Sequence, residues 1–241
     1  MTLEGTNTYL LGAPGSGGMT VVDPGPDSSP HRAAVEAELA NRDAKVLAVV
    51  LTHHHADHAG AAGWAAAWGA ALYAFAPPLI HAAAAPLADG RILDYGGVRI
   101  EAVHTPGHAS DHLCLRVPAT GAVLTGDHVL GRGTTVVAWP DGNMTAYLDS
   151  LKRLGSLGAR VLYPGHGPVI DQPARVVASY LAHREEREAQ ILAALAAGCR
   201  TPSQIVARVY AGVDAALHPF AERSVRAHLD KLVDDRRIPP M

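Results

Sequence analysis

Short apolar runs, parted by Gly- and Pro-rich turns, dominate the first two thirds of the chain. Residues 6–11 and 19–23 read as strands around the turn 12–18, and Asp23-Pro24-Gly25 closes the second of them. Residues 31–39 read as a helix. Residues 45–51 form an unbroken apolar run rich in valine, the pattern of a strand covered on both faces. That run stops at Thr52-His53-His54-His55-Ala56-Asp57-His58. The Ala-rich stretch 59–69 then reads as a helix and 72–75 as the next strand. Strand, loop, helix and strand in this order predict a crossover unit of a layered α/β domain.

Residues 92–106 read as a hairpin through Gly96-Gly97, and 112–117 and 122–125 as strands around the turn 119–121. Residues 143–157 read as a helix, with Met144, Leu148, Leu151 and Leu154 spaced by four and three. A last strand over 160–163 runs into Pro164-Gly165-His166-Gly167-Pro168. Strand signals then cease. Residues 174–197 read as one long helix, Thr201 or Ser203 can cap a second running to about Tyr210, and 221–235 read as a third with Val225, Leu229 and Leu232 on one face. This spacing, followed by Arg236-Arg237-Ile238, fits a small winged-helix unit, and a plain helical cap fits it equally well. The expected organisation is a catalytic unit over 1–172 and a C-terminal helical unit over 173–241.

Composition narrows the function classes. Twenty Lys and Arg against 23 Asp and Glu give a net charge of −3, which excludes a strongly basic nucleic-acid glove. From Arg175 onward ten basic residues face eight acidic ones, too even a balance to argue nucleic-acid binding alone. Apolar residues make up 48%, enough for a sizeable core. Two cysteines, Cys114 and Cys199, make no disulfide framework, and a reducing cytoplasm is the expected location. The start, Met1-Thr2-Leu3-Glu4-Gly5, has neither the basic nor the apolar region of a signal peptide. No apolar run is long enough to span a membrane.

Histidine changes the picture: there are 14, unevenly placed. His53, His55, Asp57 and His58 fall within six residues just after a strand. Imidazole and carboxylate are the donors that suit zinc and related divalent ions. Three further segments place one such donor after a strand and a glycine: Thr105-Pro106-Gly107-His108, Thr125-Gly126-Asp127-His128 and Tyr163-Pro164-Gly165-His166. Glycine tolerates bends that strain other residues. Seven donors from four bends suit two metals sharing one carboxylate. A solvated His tract would not follow a buried strand and recur in this way. His31, His81, His183, His218 and His228 are expected at the surface or at caps. His54, His104, His112 and His128 adjoin the motifs and are candidates to support the ligands.

With His53-x-His55-x-Asp57-His58, His108, Asp127 and His166 in place, the chain resembles the metallo-β-lactamase superfamily. More narrowly it resembles the lactamase-beta-2-type branch with a C-terminal winged-helix-like domain. Gly5-Thr6-Asn7-Thr8-Tyr9-Leu10, Gly126-Asp127-His128-Val129-Leu130-Gly131, Gly133-Thr134-Thr135-Val136, and His183-Arg184 with Arg187-Glu188 carry that narrower match. The resemblance implies an α/β fold, a four-layer αββα sandwich followed by the small helical domain. It implies that His53, His55 and His108 hold one metal and Asp57, His58 and His166 a second, with Asp127 bridging. True β-lactamases of the superfamily commonly replace the bridging Asp or use Cys, so antibiotic hydrolysis is not expected. Relatives usually carry a strand-forming stretch before the point where this chain starts, which leaves the first sheet edge open.

The implied chemistry is a metal-dependent hydrolase. Two divalent ions, zinc first and Fe or Mn as alternatives, share a hydroxide that attacks a carbonyl or phosphoryl centre, with Asp57 as the catalytic carboxylate that orients or deprotonates the water. The branch resemblance puts cleavage of single-stranded RNA first, as an endoribonuclease. A thioester hydrolase of the glyoxalase II or acyl-thioesterase sort is the alternative, favoured by His53-His54-His55 and by the few aromatic residues available for base stacking. Other small esters or lactones follow. A DNA-binding metal-sensing regulator is the reading from another class, although a structural site needs only four ligands and this set supplies seven.

Overall fold

A computed structural model describes residues 5–240; the start Met1–Glu4, where a leader was sought, lies outside the described residues. Among the described residues ten strands form two five-stranded sheets. The first is ordered β1 (Tyr9–Leu11), β2 (Gly18–Val22), β3 (Lys45–Val50), β4 (Ala71–Ala74), β5 (Ala85–Pro86), with only the β1–β2 pair antiparallel. The second is ordered β10 (Val161–Pro164), β9 (Ala122–Gly126), β8 (Leu113–Val117), β7 (Val98–His104), β6 (Ile92–Tyr95), with only the β10–β9 pair parallel.

Side-chain alternation stacks the layers. Val21 and Val49 point into a core shared with Val35 and Leu39 of helix α1 (Ser29–Asn41). Their neighbours Val22 and Val50 point the other way, into a core with Ile100, Leu113, Leu115 and Leu124 of the second sheet. On the far side of that sheet Val103, Cys114 and Val123 meet Tyr147, Leu151 and Leu154 of helix α4 (Met144–Ser156). Helix, sheet, sheet and helix thus form the αββα order expected from the sequence. Asn143 caps α4 by accepting a hydrogen bond from the Ala146 amide at 2.9 Å.

One predicted element breaks. The helix expected over 59–69 is two short helices, α2 (Ala56–Ala59) and α3 (Trp64–Ala67). The Ala61 amide donates to the Gly25 carbonyl at 2.9 Å, and the Gly25 amide donates to the His58 carbonyl at 3.1 Å. The turn after β2 thereby takes the backbone bond that would continue the helix. Alanine content alone does not reveal that competition. Strand β5 and the 3-10 turn Pro77–Leu79 lay outside the predicted elements.

The C-terminal part is helical: α5 (Pro173–Ala196), α6 (Pro202–Val209) and α7 (His218–Asp234). No strand follows β10 among the described residues. Val177 and Tyr180 in the first half of α5 belong to the core with α4. Ile191 and Ala194 in its second half pack with Ile205, Val206, Val225, Leu229 and Leu232. Thr201 accepts from the Gln204 amide while Gln204 bonds back, closing a capping box on α6. His228, expected at the surface, is 1% exposed, because α7 turns that face toward Arg184 and Arg187 of α5. Among the described residues no helix is long and apolar enough to cross a membrane.

Candidate metal centre

Strands β7 and β9 both run antiparallel to β8, and β10 runs parallel to β9. Their C-terminal ends therefore share one edge of the second sheet. The end of β3 meets that edge, where the Leu113 amide donates to the Thr52 carbonyl at 2.7 Å. Each end delivers one segment: His53–His58 after β3, His108 after β7, Asp127 after β9 and His166 after β10. His55 stands just before α2, which places Asp57 and His58 in its first turn.

Two glycines show why these bends carry no side chain. Gly107 has φ +132°, and a Cβ there would stand 2.3 Å from Cα of Tyr147. A Cβ on Gly165 would lie 2.6 Å from Cε1 of His58 and 2.8 Å from Oδ1 of Asp127. The backbone has to pass that close for His166 to reach the others.

All seven predicted residues converge, as two groups. Donor atoms of His53, His55 and His108 lie within 4.8 Å of one another, and so do those of Asp57, His58, Asp127 and His166. Asp127 links them: Oδ1 lies 3.2 and 3.3 Å from Nε2 of His58 and His166, and Oδ2 lies 3.7 Å from Nε2 of His108. Asp57 Oδ2 is 3.2 Å from His166 Nε2, with 30% of its side chain exposed.

The outward-facing ring nitrogens decide what faces inward. His58 Nδ1 donates to Asp23 Oδ2 at 2.7 Å, His166 Nδ1 to the Gly5 carbonyl at 2.9 Å, and His108 Nδ1 to the Val136 carbonyl at 2.7 Å. His53 Nδ1 donates to Thr52 Oγ1 at 3.0 Å, because that hydroxyl gives its own hydrogen to Asp23 at 2.7 Å. With those outer nitrogens hydrogen-bonded, Nε2 is the ring atom that His53, His58, His108 and His166 turn toward the site. His58 and His166 then face each other nitrogen to nitrogen at 3.3 Å, and His53 Nε2 and His55 Nδ1 at 2.9 Å. Oδ1 of Asp127 is buried, with Nε2 of His58 and His166 as its polar neighbours. Imidazole nitrogens and carboxylate oxygens brought this close, with the outer ring nitrogens held by other groups, are the ligand set of divalent metal ions once the inner nitrogens are free of protons, so the residues fit such ions.

The two groups differ electrostatically. Burial, then neighbouring imidazoles, push His53 well below its ordinary value and His55 down to about 4; burial also lowers His108. Burial pulls His58 down too, but Asp23 and Asp127 overrule it and hold the ring up at about 10. His166 is similarly held at about 9 by Asp127 and Asp57. Burial opposes ionisation of Asp127, yet His166 and His58 keep it well below the usual carboxylate range.

Support from the adjoining histidines is mixed. His54 Nδ1 pairs with the buried Asp111 at 2.8 Å, and His112 Nε2 accepts from the Asp127 amide at 3.1 Å. His104 Nε2 donates to the Ser110 carbonyl at 3.0 Å and stacks on Phe75. His128 sits buried behind the site against Tyr147, without a partner on either nitrogen. Asp23 is the residue that sequence reasoning missed: Asp23-Pro24-Gly25 reads as a turn. Its signal was position, a carboxylate closing the strand beside the one that ends in histidines.

A model of the metallo-beta-lactamase superfamily matches residues 1–87 and 82–166. The chain belongs to that superfamily. A model of the beta-lactamase-associated winged helix domain matches residues 201–239 of this superfamily member. The lactamase-like protein aptB of Emericella nidulans is 34% identical over 99% of this chain and 79% of its own length. An atrochrysone carboxyl ACP thioesterase of Aspergillus chevalieri is 35% identical over 98% of this chain and 78% of its own length. Among solved structures, a metallo-beta-lactamase family protein from Thermus thermophilus superposes with a TM-score of 0.83 at 27% identity, covering 96% of this chain and 89% of that one. The metallohydrolase expected from the sequence is thereby upheld.

Proposed function

We propose that the chain is a metal-dependent thioester hydrolase acting on an acyl thioester. The observation that carries this reading is the convergence of five imidazoles and two carboxylates at one sheet edge. The substrate class follows the thioesterase relative, and it favours the thioester alternative over the RNA cleavage put first by the sequence. His53, His55 and His108 would hold one ion, Asp57, His58 and His166 the other, and Asp127 would reach both. Two divalent ions held there, zinc first and Fe or Mn also accepted by these donors, would supply a lowered pKa of water and polarisation of a carbonyl oxygen.

The chain's own residues do the rest. Asp57, the more open carboxylate, orients the attacking water and accepts its proton. The water oxygen adds to the thioester carbonyl carbon, the C–S bond breaks, and the sulfur leaves as a thiol, taking the proton that Asp57 accepted from the water. The hydrogen bonds from His58 to Asp23 and from His108 to Val136 keep the rings aimed while charge moves. Residues 173–241 act in this reading as the unit that holds substrate against residues 1–172.

The test is turnover of an acyl-N-acetylcysteamine thioester and of an end-labelled single-stranded RNA, each with and without chelator and with zinc, manganese or iron restored. Chelator-sensitive thiol release with intact RNA is expected. Chelator-sensitive RNA cleavage without thiol release overturns the proposal.

A further inference from the structure

Segment 134–136 separates the metal centre from a second cavity. On its inner side the Val136 carbonyl accepts the His108 hydrogen bond, and Thr135 Oγ1 lies 3.2 Å from the same nitrogen. On its outer side a cleft of about 200 Å³ opens between this segment, α5 and the turn leading into α7. Ordinary small-molecule pockets run to about 300–1,000 Å³. The cleft is therefore too small for a whole substrate of ordinary size.

Its charge is one-sided. His183, Arg184 and Arg187 line it, and no Asp or Glu does. Arg184 is 5% exposed. One of its Nη atoms donates to the Thr135 carbonyl at 2.6 Å, and the guanidinium lies 5.2 Å from the centre of the Tyr147 ring. Its Nε has no partner. Arg187 lies 4.2 Å over the Tyr210 ring and, among the described residues, donates to Gln190 and to the Val209 carbonyl. Among the described residues no ion pair joins either arginine to a carboxylate, and the neighbouring Glu188 is already taken by Lys231 and Arg237. Burial, then Arg184 and Arg187, lower the His183 imidazole, as expected beside two cations. A buried cation without a counter-ion is costly, and an anionic ligand relieves that cost. The facing wall is apolar, formed by Val213, Leu217 and Phe220, the last 54% exposed at the rim.

We infer that this cleft is a substrate subsite for an apolar acyl group bearing an anionic oxygen, a carboxylate or an ionised phenol, with Arg184 and Arg187 holding the anion. The inference rests on the thioesterase reading and narrows its substrate. Arg184 also buttresses Thr135, so Arg187 is the cleaner probe.

The experiment compares N-acetylcysteamine thioesters of 4-carboxyphenylacetate and of its isosteric amide, 4-carbamoylphenylacetate, on the metal-loaded full chain. A kcat/KM preference of about tenfold or more for the carboxylate is expected, of the size a charge-assisted hydrogen bond supplies. Arg187→Gln brings the ratio close to one, Arg187→Lys retains most of it, and Arg175→Gln, on the exposed start of α5, leaves it intact. A wild-type ratio near one, or one indifferent to Arg187→Gln, overturns the subsite while the thioesterase reading stands. If neither thioester turns over, calorimetric binding of benzoate against benzamide decides. Benzoate binding that depends on Arg187 keeps the subsite and drops the thioesterase reading, and equal or absent binding drops the subsite as well.

Discussion

The two donor groups at the sheet edge draw on the same residue types yet differ in their appetite for positive charge. His53, His55 and His108 are three imidazoles without a carboxylate on their outer side, where His53 meets a hydroxyl and His108 a carbonyl, and burial lowers all three. His58 and His166 sit among Asp23, Asp57 and Asp127, and those carboxylates outweigh the same burial. A buried histidine is thus not one chemical object. The carboxylates within hydrogen-bond reach decide whether it stands ready as a ligand or must first give up a proton.

The largest break in this contrast should come from the residue that touches both groups. Asp127→Asn is expected to lower hydrolysis about 10²-fold or more and to cost about one metal equivalent by elemental analysis. Two full equivalents and a rate within threefold of wild type would mean that the groups work without a shared carboxylate. Asp23→Asn acts on one group alone. It leaves the His58 ring without its anionic partner at 2.7 Å, and metal affinity at the carboxylate-bearing group should fall about 10–100-fold in chelator competition, with the three-imidazole group unaffected.

Proton counting sharpens the same comparison. At pH 7 His58 and His166, at about 10 and 9, carry protons in the metal-free chain, whereas His55, at about 4, does not. Calorimetry in buffers of different ionisation enthalpy should find about two protons released on filling one group and about none on filling the other. Equal release would contradict the assigned charges.

The smallest effect concerns stability. His228, held at about 3 by burial and then by Arg184 and Lys231, has a folded pKa below the unfolded value of about 6.5. The unfolded chain takes up the proton first, so this contribution is complete above pH 6.5 and declines as pH falls towards 3. His228→Leu in the chelated protein should therefore show a melting temperature less sensitive to acid between pH 6.5 and 4. An unchanged acid slope would place the titration elsewhere.

The sandwich was largely legible in the chain because alternation and turn chemistry are local. Val21 with Val22 and Val49 with Val50 announce strands covered on both faces, and Gly96-Gly97 and the turn 119–121 announce hairpins. The seven donors were legible because each follows a strand end. The broken helix at Ala61 was not, since its competitor, the Gly25 carbonyl, lies 36 residues earlier. His228 was misread for a related reason: one polar residue in an amphipathic helix does not report what packs on its face.

Residue type and order alone determined which side chains could hold metal and that they would arrive on bends after strands, because ligand chemistry and glycine's backbone freedom belong to the residues themselves. Only the tertiary structure decided how the donors divide into two groups, which nitrogen of each ring faces inward, and that Asp23 steers His58. Those properties depend on hydrogen bonds between segments as much as 161 residues apart, as between His166 and Gly5. The same holds for the cleft behind Thr135: arginines on a helix are ordinary in sequence, and only packing buries Arg184 there without an acid to answer it.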